Sequence, residues 1–327
     1  MEKILVTGAT GFVGTRLCKE LVEHGYSVRG MHRASSNIEP IKDMGVELVE
    51  GDVTEKESLL AAMDGVDTVY HIAALFREAK HPDEVYWKVN RDGVVNVLEA
   101  AYTVGVDRVV HCSTVGVHSH IPNPPADESE AYRPGDIYQL TKCEGEKEAR
   151  RWFESGKLKG VIIRPAMIWG PGDKRTLKLF RGIARRRLPI IGTGKTLLHW
   201  VLVDDLAAAF RLAGEREEAV GNIYIIAGER PVELEYLFFQ IAKELGVQTF
   251  PFRIPAKPIQ LLGSMVEAVC VPFGIEPPIY RRRVDFFTKT RAFDYSRAKR
   301  DLGYLPSHTF EEEVGIIAKW YRDHGWL

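Results

Sequence analysis

Tyr138 and Lys142 stand four residues apart in Tyr138-Gln139-Leu140-Thr141-Lys142, at the start of a stretch with helical spacing. That spacing puts a phenol and an ammonium on one helix face. A free tyrosine titrates near about 10, so acid/base work at neutral pH needs a nearby cation that favours phenolate. Lys142 can supply that field. Upstream, the run ending His111-Cys112-Ser113-Thr114-Val115 carries two hydroxyls where a strand stops. Thr114 or Ser113 would there hold a carbonyl or carbinol oxygen while Tyr138 gives or takes its proton. Taken singly, Tyr-x-x-x-Lys is a common surface pair and Thr is ordinary at a strand end. Their value depends on the elements that position them.

The first such element opens the chain. A β-branched run stops at Thr7, glycines follow at Gly8, Gly11 and Gly14, and apolar residues resume at Leu17, Leu21 and Val22. This is strand, tight turn, helix. Gly8 and Gly11 let backbone N–H groups approach a diphosphate, and the helix N-terminus adds partial positive charge. Gly14 lets the helix pack close to the strand. In this context the turn, with Thr10, Phe12 and Val13 between the glycines, reads as a dinucleotide site. A second strand ending in Asp or Glu would bind the ribose hydroxyls of NAD. Here it ends Arg29-Gly30-Met31-His32-Arg33, and no acid follows until Glu39. Arg33 can pair with a 2′-phosphate and Ser35 can add a donor, which favours NADP, with NAD as the alternative. In Gly51-Asp52-Val53, after the third strand, Asp52 is suited to accept from an adenine amino group. Its competing role is to cap the helix that Thr54 and Glu57 would open as a capping box.

Strands and helices alternate through the first half. Strands are expected at 26–31, 46–50, 67–71, 108–112 and 160–164, with long helices over 83–102 and 136–153. Alternation at this spacing means right-handed crossovers on a parallel sheet, hence an α/β, doubly wound fold. After Pro165 the pattern loosens. A turn at Gly170-Pro171-Gly172-Asp173 precedes a basic helix over 177–187, a short strand ends at Val203, and Asp204 caps a helix to Ala213. One more strand spans 222–227, and an amphipathic helix begins at Phe310. The expected division is a dinucleotide-binding domain of 1–165 plus 201–227, and a smaller, mostly helical substrate lobe of 166–200 plus 228–327.

Composition narrows the classes. Lys plus Arg number 44 against 45 for Asp plus Glu, so no global charge draws nucleic acid or an anionic membrane. The first residues already form a strand, so no signal peptide is expected. Cys18, Cys112, Cys143 and Cys270 are scattered without Cys-x-x-Cys spacing, which points to reduced thiols in a cytoplasmic protein with no metal site. The apolar segment 259–275 is broken by Gly263, Glu267 and Pro272, too short to span a bilayer though able to cover a substrate or touch a membrane surface.

In this order, the glycine turn, Ser113-Thr114 and Tyr138-x-x-x-Lys142 resemble the extended short-chain dehydrogenase/reductases, the NAD-dependent epimerase/dehydratase superfamily. The resemblance runs nearly the whole length. It includes His71-Ile72-Ala73-Ala74, Asn90-x-x-Gly93-x-x-Asn96, Arg164-Pro165, Gly170-Pro171-Gly172, Val203-Asp204-Asp205-Leu206-Ala207 and Asp294-Tyr295-Ser296-Arg297-Ala298. It implies that Tyr138 is the acid/base and that Lys142 lowers its pKa while binding the nicotinamide ribose. Thr114 matches the family's Ser/Thr position. Ala73 and Ala74 would line the nicotinamide side, and Pro165 would lie near its carboxamide. A homodimer built on the helices around 90–101 and 138–153 is also implied.

Two branches compete. Nucleotide-sugar epimerases and dehydratases use arginines to hold the sugar diphosphate, but Leu198 stands where one is expected, and Leu202 replaces the usual His. Arg281-Arg282-Arg283-Val284-Asp285 lacks the glycine that follows the other. Gly25-Tyr26-Ser27-Val28-Arg29-Gly30 with Arg33 looks like the dihydroflavonol reductase branch, and Ile168-Trp169-Gly170-Pro171-Gly172-Asp173 with Pro277-Pro278 suits 3β-hydroxysteroid dehydrogenases. Phe76, Val115, Trp169, Trp200 and Phe273 are candidates for an apolar substrate cavity. The expected activity is hydride transfer between a nicotinamide and a secondary alcohol or ketone, ahead of sugar epimerisation or dehydration. A binding-only NADP(H) sensor is a third reading, against which the presence of both Tyr138 and Lys142 counts.

Overall fold

β-branched runs at the expected intervals form a seven-stranded parallel sheet, described in a computed structural model for residues 2–76, 81–259 and 281–327. Its strands are β1 (Lys3–Thr7), β2 (Ser27–His32), β3 (Glu47–Glu50), β4 (Thr68–His71), β5 (Arg108–Cys112), β6 (Lys159–Pro165) and Ile223–Ile226. From one edge the order is Ile223–Ile226, β6, β5, β4, β1, β2, β3. The chain thus reverses direction across the sheet between β1 and β4, the place where open α/β sheets leave a crevice at the strands' C-terminal ends. The register brings those ends level: Thr7 pairs with both Met31 and His71, and His71 pairs with His111.

Helices cover both faces, as a doubly wound sheet requires. Leu17, Cys18 and Leu21 of α1 (Phe12–Glu23) and Leu206, Ala209 and Phe210 of α7 (Val203–Glu215) close one core. On the other face lie α2 (Lys56–Met63), α3 (Asp83–Trp87), α4 (Gly93–Val104) and α5 (Ile137–Glu154), with Leu59, Val97, Leu98, Ala149 and Phe153 in the second core. A third core joins α6 (Lys174–Ala184), α8 (Leu234–Leu245) and the terminal helix Phe310–Asp323. Two short strands, Met167–Trp169 and Trp200–Leu202, lead out of and back into the large sheet.

Several local expectations are corrected. The helix after β3 starts at Lys56 behind Glu55, with no side-chain cap. Asp52 Oδ1 instead accepts the Thr54 N–H at 2.8 Å, closing a turn on itself and leaving Thr54 outside the helix. Asp204 lies inside the first turn of α7, whose cap position is Leu202, and Val203 belongs to the helix rather than the strand. The long helix over 83–102 is not uniform: a π turn at Lys88–Asp92 joins α3 to α4. The basic helix begins three residues early because Asp173 accepts the Arg175 N–H and caps it. Thr309 and Glu312 form a complete capping box on the terminal helix. Cys18 and Cys143 are buried and Cys112 half-buried, all with free thiols. Cys270, Phe273, Pro277, Pro278 and 260–275 lie outside the described residues.

Candidate active site

Gly8 turns the chain out of β1 with φ of +69°, a conformation side-chain-bearing residues rarely adopt, and a Cβ there would lie 2.9 Å from the Ala73 backbone. At Gly14 a Cβ would meet the Gly8 carbonyl at 2.1 Å, so α1 packs directly on the turn. Gly11 caps α1 without any side-chain acceptor, and no acid stands in the first turn. The first-turn N–H groups are therefore left for an anion. The turn between Thr10 and Val13 is thus a cradle that fits a dinucleotide diphosphate. Thr7 holds its neighbour: its Oγ1 lies 2.9 Å from His71 Nδ1 and accepts the Ala73 N–H at 3.2 Å.

Around this cradle the ends of the other strands bring Arg33 and Ser35, Asp52, Ala73 and Ala74, Thr114 and Pro165 to one edge of the sheet. Arg33 and Ser35 are exposed, and the turn is closed by the Ser36 N–H on the Arg33 carbonyl at 2.9 Å. Val53 is a correction: its side chain is buried in the core against Gly93, and its carbonyl accepts from the Asn96 amide at 3.0 Å.

Asp136 accepts the Gln139 N–H at 2.8 Å and so sets the first turn of α5, which carries Tyr138 and Lys142 on one face. Lys142 is buried and donates from Nζ to the Cys112 carbonyl at 2.6 Å, which ties the helix to the end of β5. Burial lowers the Lys142 pKa from its ordinary value. The neighbouring rings of His71 and His111, 5.4 Å apart, are fully buried, and desolvation followed by the Lys142 charge pushes His71 down to about 3 and His111 in the same direction. Both imidazoles are neutral at pH 7. Thr114 Oγ1 accepts the Gly116 N–H at 3.0 Å, so its own proton remains available for a substrate oxygen.

Ser113 goes elsewhere. Its hydroxyl donates to Glu146 Oε2 in a buried network, where Arg164 pairs with Glu146 at 2.6 Å and Tyr132 donates to Glu146 at 2.6 Å. Arg164 also donates to the Glu128 carbonyl at 2.9 Å. This network fixes the segment 128–132 to β6 and α5, and only the Arg164-Pro165 dipeptide signalled it in the sequence.

The sequence also named Asn90 without a role. Its amide accepts the Leu75 N–H at 2.8 Å, donates to the Leu75 carbonyl at 3.0 Å and donates to Thr141 at 3.2 Å. It thereby holds the loop that carries Phe76, an exposed ring set edge-on to Tyr138 with centroids 5.0 Å apart. The other cavity candidates are corrected. Trp169 and Trp200 are buried and stacked 4.6 Å apart within the third core, and Val115 is buried with Ile121, Ala126, Ile225 and Phe293. The two tryptophans fill the interior because the apolar face of the terminal helix closes over them. Of the four substrate candidates within the described residues, Phe76 alone lies open beside Tyr138. Sequence reasoning missed Arg175, whose guanidinium overlies Phe76 at 5.1 Å and Phe12 at 5.7 Å.

Known proteins resemble this chain in sequence and fold. Residues 4–227 match the model of the NAD dependent epimerase/dehydratase family. The chain is 30% identical to the 2-alkyl-3-oxoalkanoate reductase of Stenotrophomonas maltophilia (strain K279a), over 95% of this chain and 96% of that protein. It is 28% identical to a putative dihydroflavonol 4-reductase of Synechocystis sp. (strain ATCC 27184 / PCC 6803 / Kazusa), over 98% and 95%. The crystal structure of gox2253 superposes with a TM-score of 0.85 at 30% identity, covering both chains fully. Among the described residues no helix is long and apolar enough to cross a membrane. By sequence match and by architecture the chain belongs to the NAD dependent epimerase/dehydratase family, and with it to the NAD(P)-dependent oxidoreductases.

Proposed function

We propose that this protein interconverts a ketone and a secondary alcohol, with NADP(H) as the preferred hydride carrier. The observation that carries the reading is Lys142, buried and held on the Cys112 carbonyl one helical turn from Tyr138, at the sheet edge that also carries the glycine cradle. When bound there, a reduced nicotinamide supplies hydride to the carbonyl carbon. Tyr138 gives its proton to the developing alkoxide, and Thr114 donates a hydrogen bond to the same oxygen. The Lys142 charge then stabilises the phenolate left on Tyr138. Oxidation runs the same steps backward, with Tyr138 as base. Relatives that share nearly the full length are named 2-alkyl-3-oxoalkanoate reductase and putative dihydroflavonol 4-reductase, which supports ketone reduction over sugar epimerisation. The lack of an arginine at Leu198, a buried position, points the same way. Arg33 and Ser35, exposed beyond β2 with no acid at the strand end, support NADP.

Purified protein is expected to consume NADPH in proportion to ketone. A tightly held cofactor with interconversion of sugar nucleotides and no net redox change would sink this reading. Tyr138→Phe should cut kcat by at least about 100-fold while cofactor affinity, followed by nicotinamide fluorescence, is retained. Arg33→Asp should move the ratio of NADPH to NADH kcat/KM toward NADH by about tenfold or more; an unmoved ratio removes Arg33 from the phosphate site.

A further inference from the structure

Helix α6 carries a charge pattern that the fold does not use. Lys174, Lys178 and Arg181, with Arg185 at the C-terminal cap, recur at steps of four, three and four residues. They form one exposed ridge, about 16 Å long at the helical rise. Arg186 and Arg187 extend it, both exposed. The opposite face, with Leu177, Phe180 and Ile183, is buried in the third core, so the ridge points away from the lobe. Among the described residues none of these cations has an ion pair. Arg175 is different, because buried Asp173 neutralises it at 3.0 Å. Acids on the elements packed against α6 are engaged elsewhere: Glu244 pairs with Arg322 at 3.4 Å and Asp323 with Lys319 at 2.5 Å. Lys174 and Arg181 meet neutral groups of Trp326, its ring at 5.9 Å and its carbonyl at 2.9 Å. Like charges at these steps repel along a helix, so the ridge weakens the fold unless an external anion faces it.

The chain leaving the ridge runs straight into an apolar edge. Three residues past Arg187 the short strand Ile190–Ile191 pairs with Arg253–Ile254, in register Ile190 with Arg253, and the Gly192 N–H closes on the Ile254 carbonyl at 2.8 Å. Beside that pairing Phe252 is 69% exposed and Ile254 37%, and the Phe250 ring stands edge-on to Phe252 with centroids 5.9 Å apart. Within the strand Arg253 is spent on Glu235. We propose that the α6 ridge and the Phe252 edge form a docking surface for a bilayer containing anionic phospholipids. Lys and Arg gain from the headgroup charge, and the phenyl ring gains by leaving water for the acyl boundary. A nucleic acid duplex or an acidic protein would answer the ridge and leave the exposed edge without a partner. The chain as a whole carries a net charge of only −1, so the attraction is local to this lobe. No catalytic step enters the surface, which stands or falls apart from the ketone reductase reading.

Co-sedimentation of the full chain with vesicles of roughly one part phosphatidylserine to two parts phosphatidylcholine tests the proposal. Binding is expected to these vesicles and to be at least about tenfold weaker to phosphatidylcholine alone. Raising the salt from about 0.1 to about 1 M shortens the screening length from about 10 to about 3 Å and should weaken binding at least tenfold, a readout that needs no variant. The triple variant Lys178→Gln, Arg185→Gln, Arg187→Gln should keep the wild-type Tm and lose roughly 100-fold in affinity. Exchanging the same positions as Lys178→Arg, Arg185→Lys and Arg187→Lys should keep it. Phe252→Ser should lose about tenfold. No sedimentation at low salt overturns the proposal, as does equal binding to both vesicle types or a triple variant of undiminished affinity. Affinity unmoved by Phe252→Ser also overturns it, since the ridge would then act without the apolar edge. Binding of a single-stranded oligonucleotide that the triple variant loses, with no vesicle binding, gives the ridge to nucleic acid instead. NADPH consumption with ketone is measured separately and remains whichever way the vesicles decide.

Discussion

Ser113 and Thr114 are consecutive hydroxyls at the end of one strand, yet they serve different neighbours, because successive side chains of an extended chain point to opposite sides. Thr114 keeps its proton free, whereas Ser113 spends its proton on Glu146. Thr114→Ala is therefore expected to lower kcat by roughly 100-fold through loss of one donor to the oxygen, with a stability cost of about 1 kcal/mol from the lost cap on the Gly116 N–H. Ser113→Ala should instead destabilise the fold by about 1–3 kcal/mol, because a buried carboxylate oxygen loses one of its two donors and keeps only Arg164 Nε. Parallel measurement of kcat and Tm on both variants decides the matter, and a Ser113→Ala protein with normal Tm and a collapsed kcat would reverse these roles. The sequence displayed both hydroxyls and left the choice open. What separates them is a partner 33 residues away, a contact that no local spacing carries.

On α5 the chemistry and its support share one helix face: Tyr138, Lys142 and Glu146 follow at four-residue steps, so acid, cation and network anchor move as a unit. The first two were legible in the sequence because their types and spacing differ from an ordinary helix surface. Glu146 was not, since a glutamate on a helix is ordinarily solvated and only Arg164 and Tyr132 make it otherwise. The π turn at Lys88–Asp92 was equally hidden, and packing explains it. Gly145 of α5 sits so close that a Cβ there would lie 2.2 Å from the Asn90 carbonyl. The widened turn presents the Asn90 amide to the Leu75 backbone. Gly145→Ala is expected to push the two elements apart, lowering stability by about 1–3 kcal/mol and raising KM for the ketone as the Phe76 loop loses its tether. Thermal unfolding and steady-state kinetics read both; a variant with normal KM would detach Asn90 from the site. The tryptophans show the opposite limit. Trp169 and Trp200 looked like cavity lining because aromatic residues near a substrate lobe have two possible destinations. Burial in the third core, decided by a terminal helix more than a hundred residues later, chose between them.

Across the whole molecule, buried titratable groups set opposing pH dependences. Glu313 of the terminal helix is buried, accepts the Trp169 indole N–H at 2.5 Å through Oε2, and has no partner for Oε1 among the described residues. Burial first, then Asp205 and Glu229 nearby, raise its pKa to about 8. The folded state therefore holds a proton that the unfolded chain releases near about 4.3, so this contribution is complete below that value and is lost as pH rises to 8. Buried histidines act the other way. His71 is pushed down to about 3 and His199 to about 4, while His111 and His118 are lowered as well, all chiefly by burial. Their contribution is complete above about 6.5 and is lost as pH falls, because the unfolded chain takes up protons that the folded chain refuses. Between pH 8 and 6.5 only the Glu313 proton separates the two states within this set, and acidification stabilises. Below 6.5 four histidines outweigh one carboxyl, and acidification destabilises. Thermal midpoints are thus expected to peak near pH 6.5 and to decline on both sides. Glu313→Gln keeps a neutral, hydrogen-bonding side chain against Trp169 and removes the alkaline limb. It should match wild type near pH 5 and exceed it at pH 8.5 by on the order of a few kcal/mol. Parallel pH–Tm curves for the two proteins would show Glu313 to be charged in the fold, and so would require a cation or water beside Oε1.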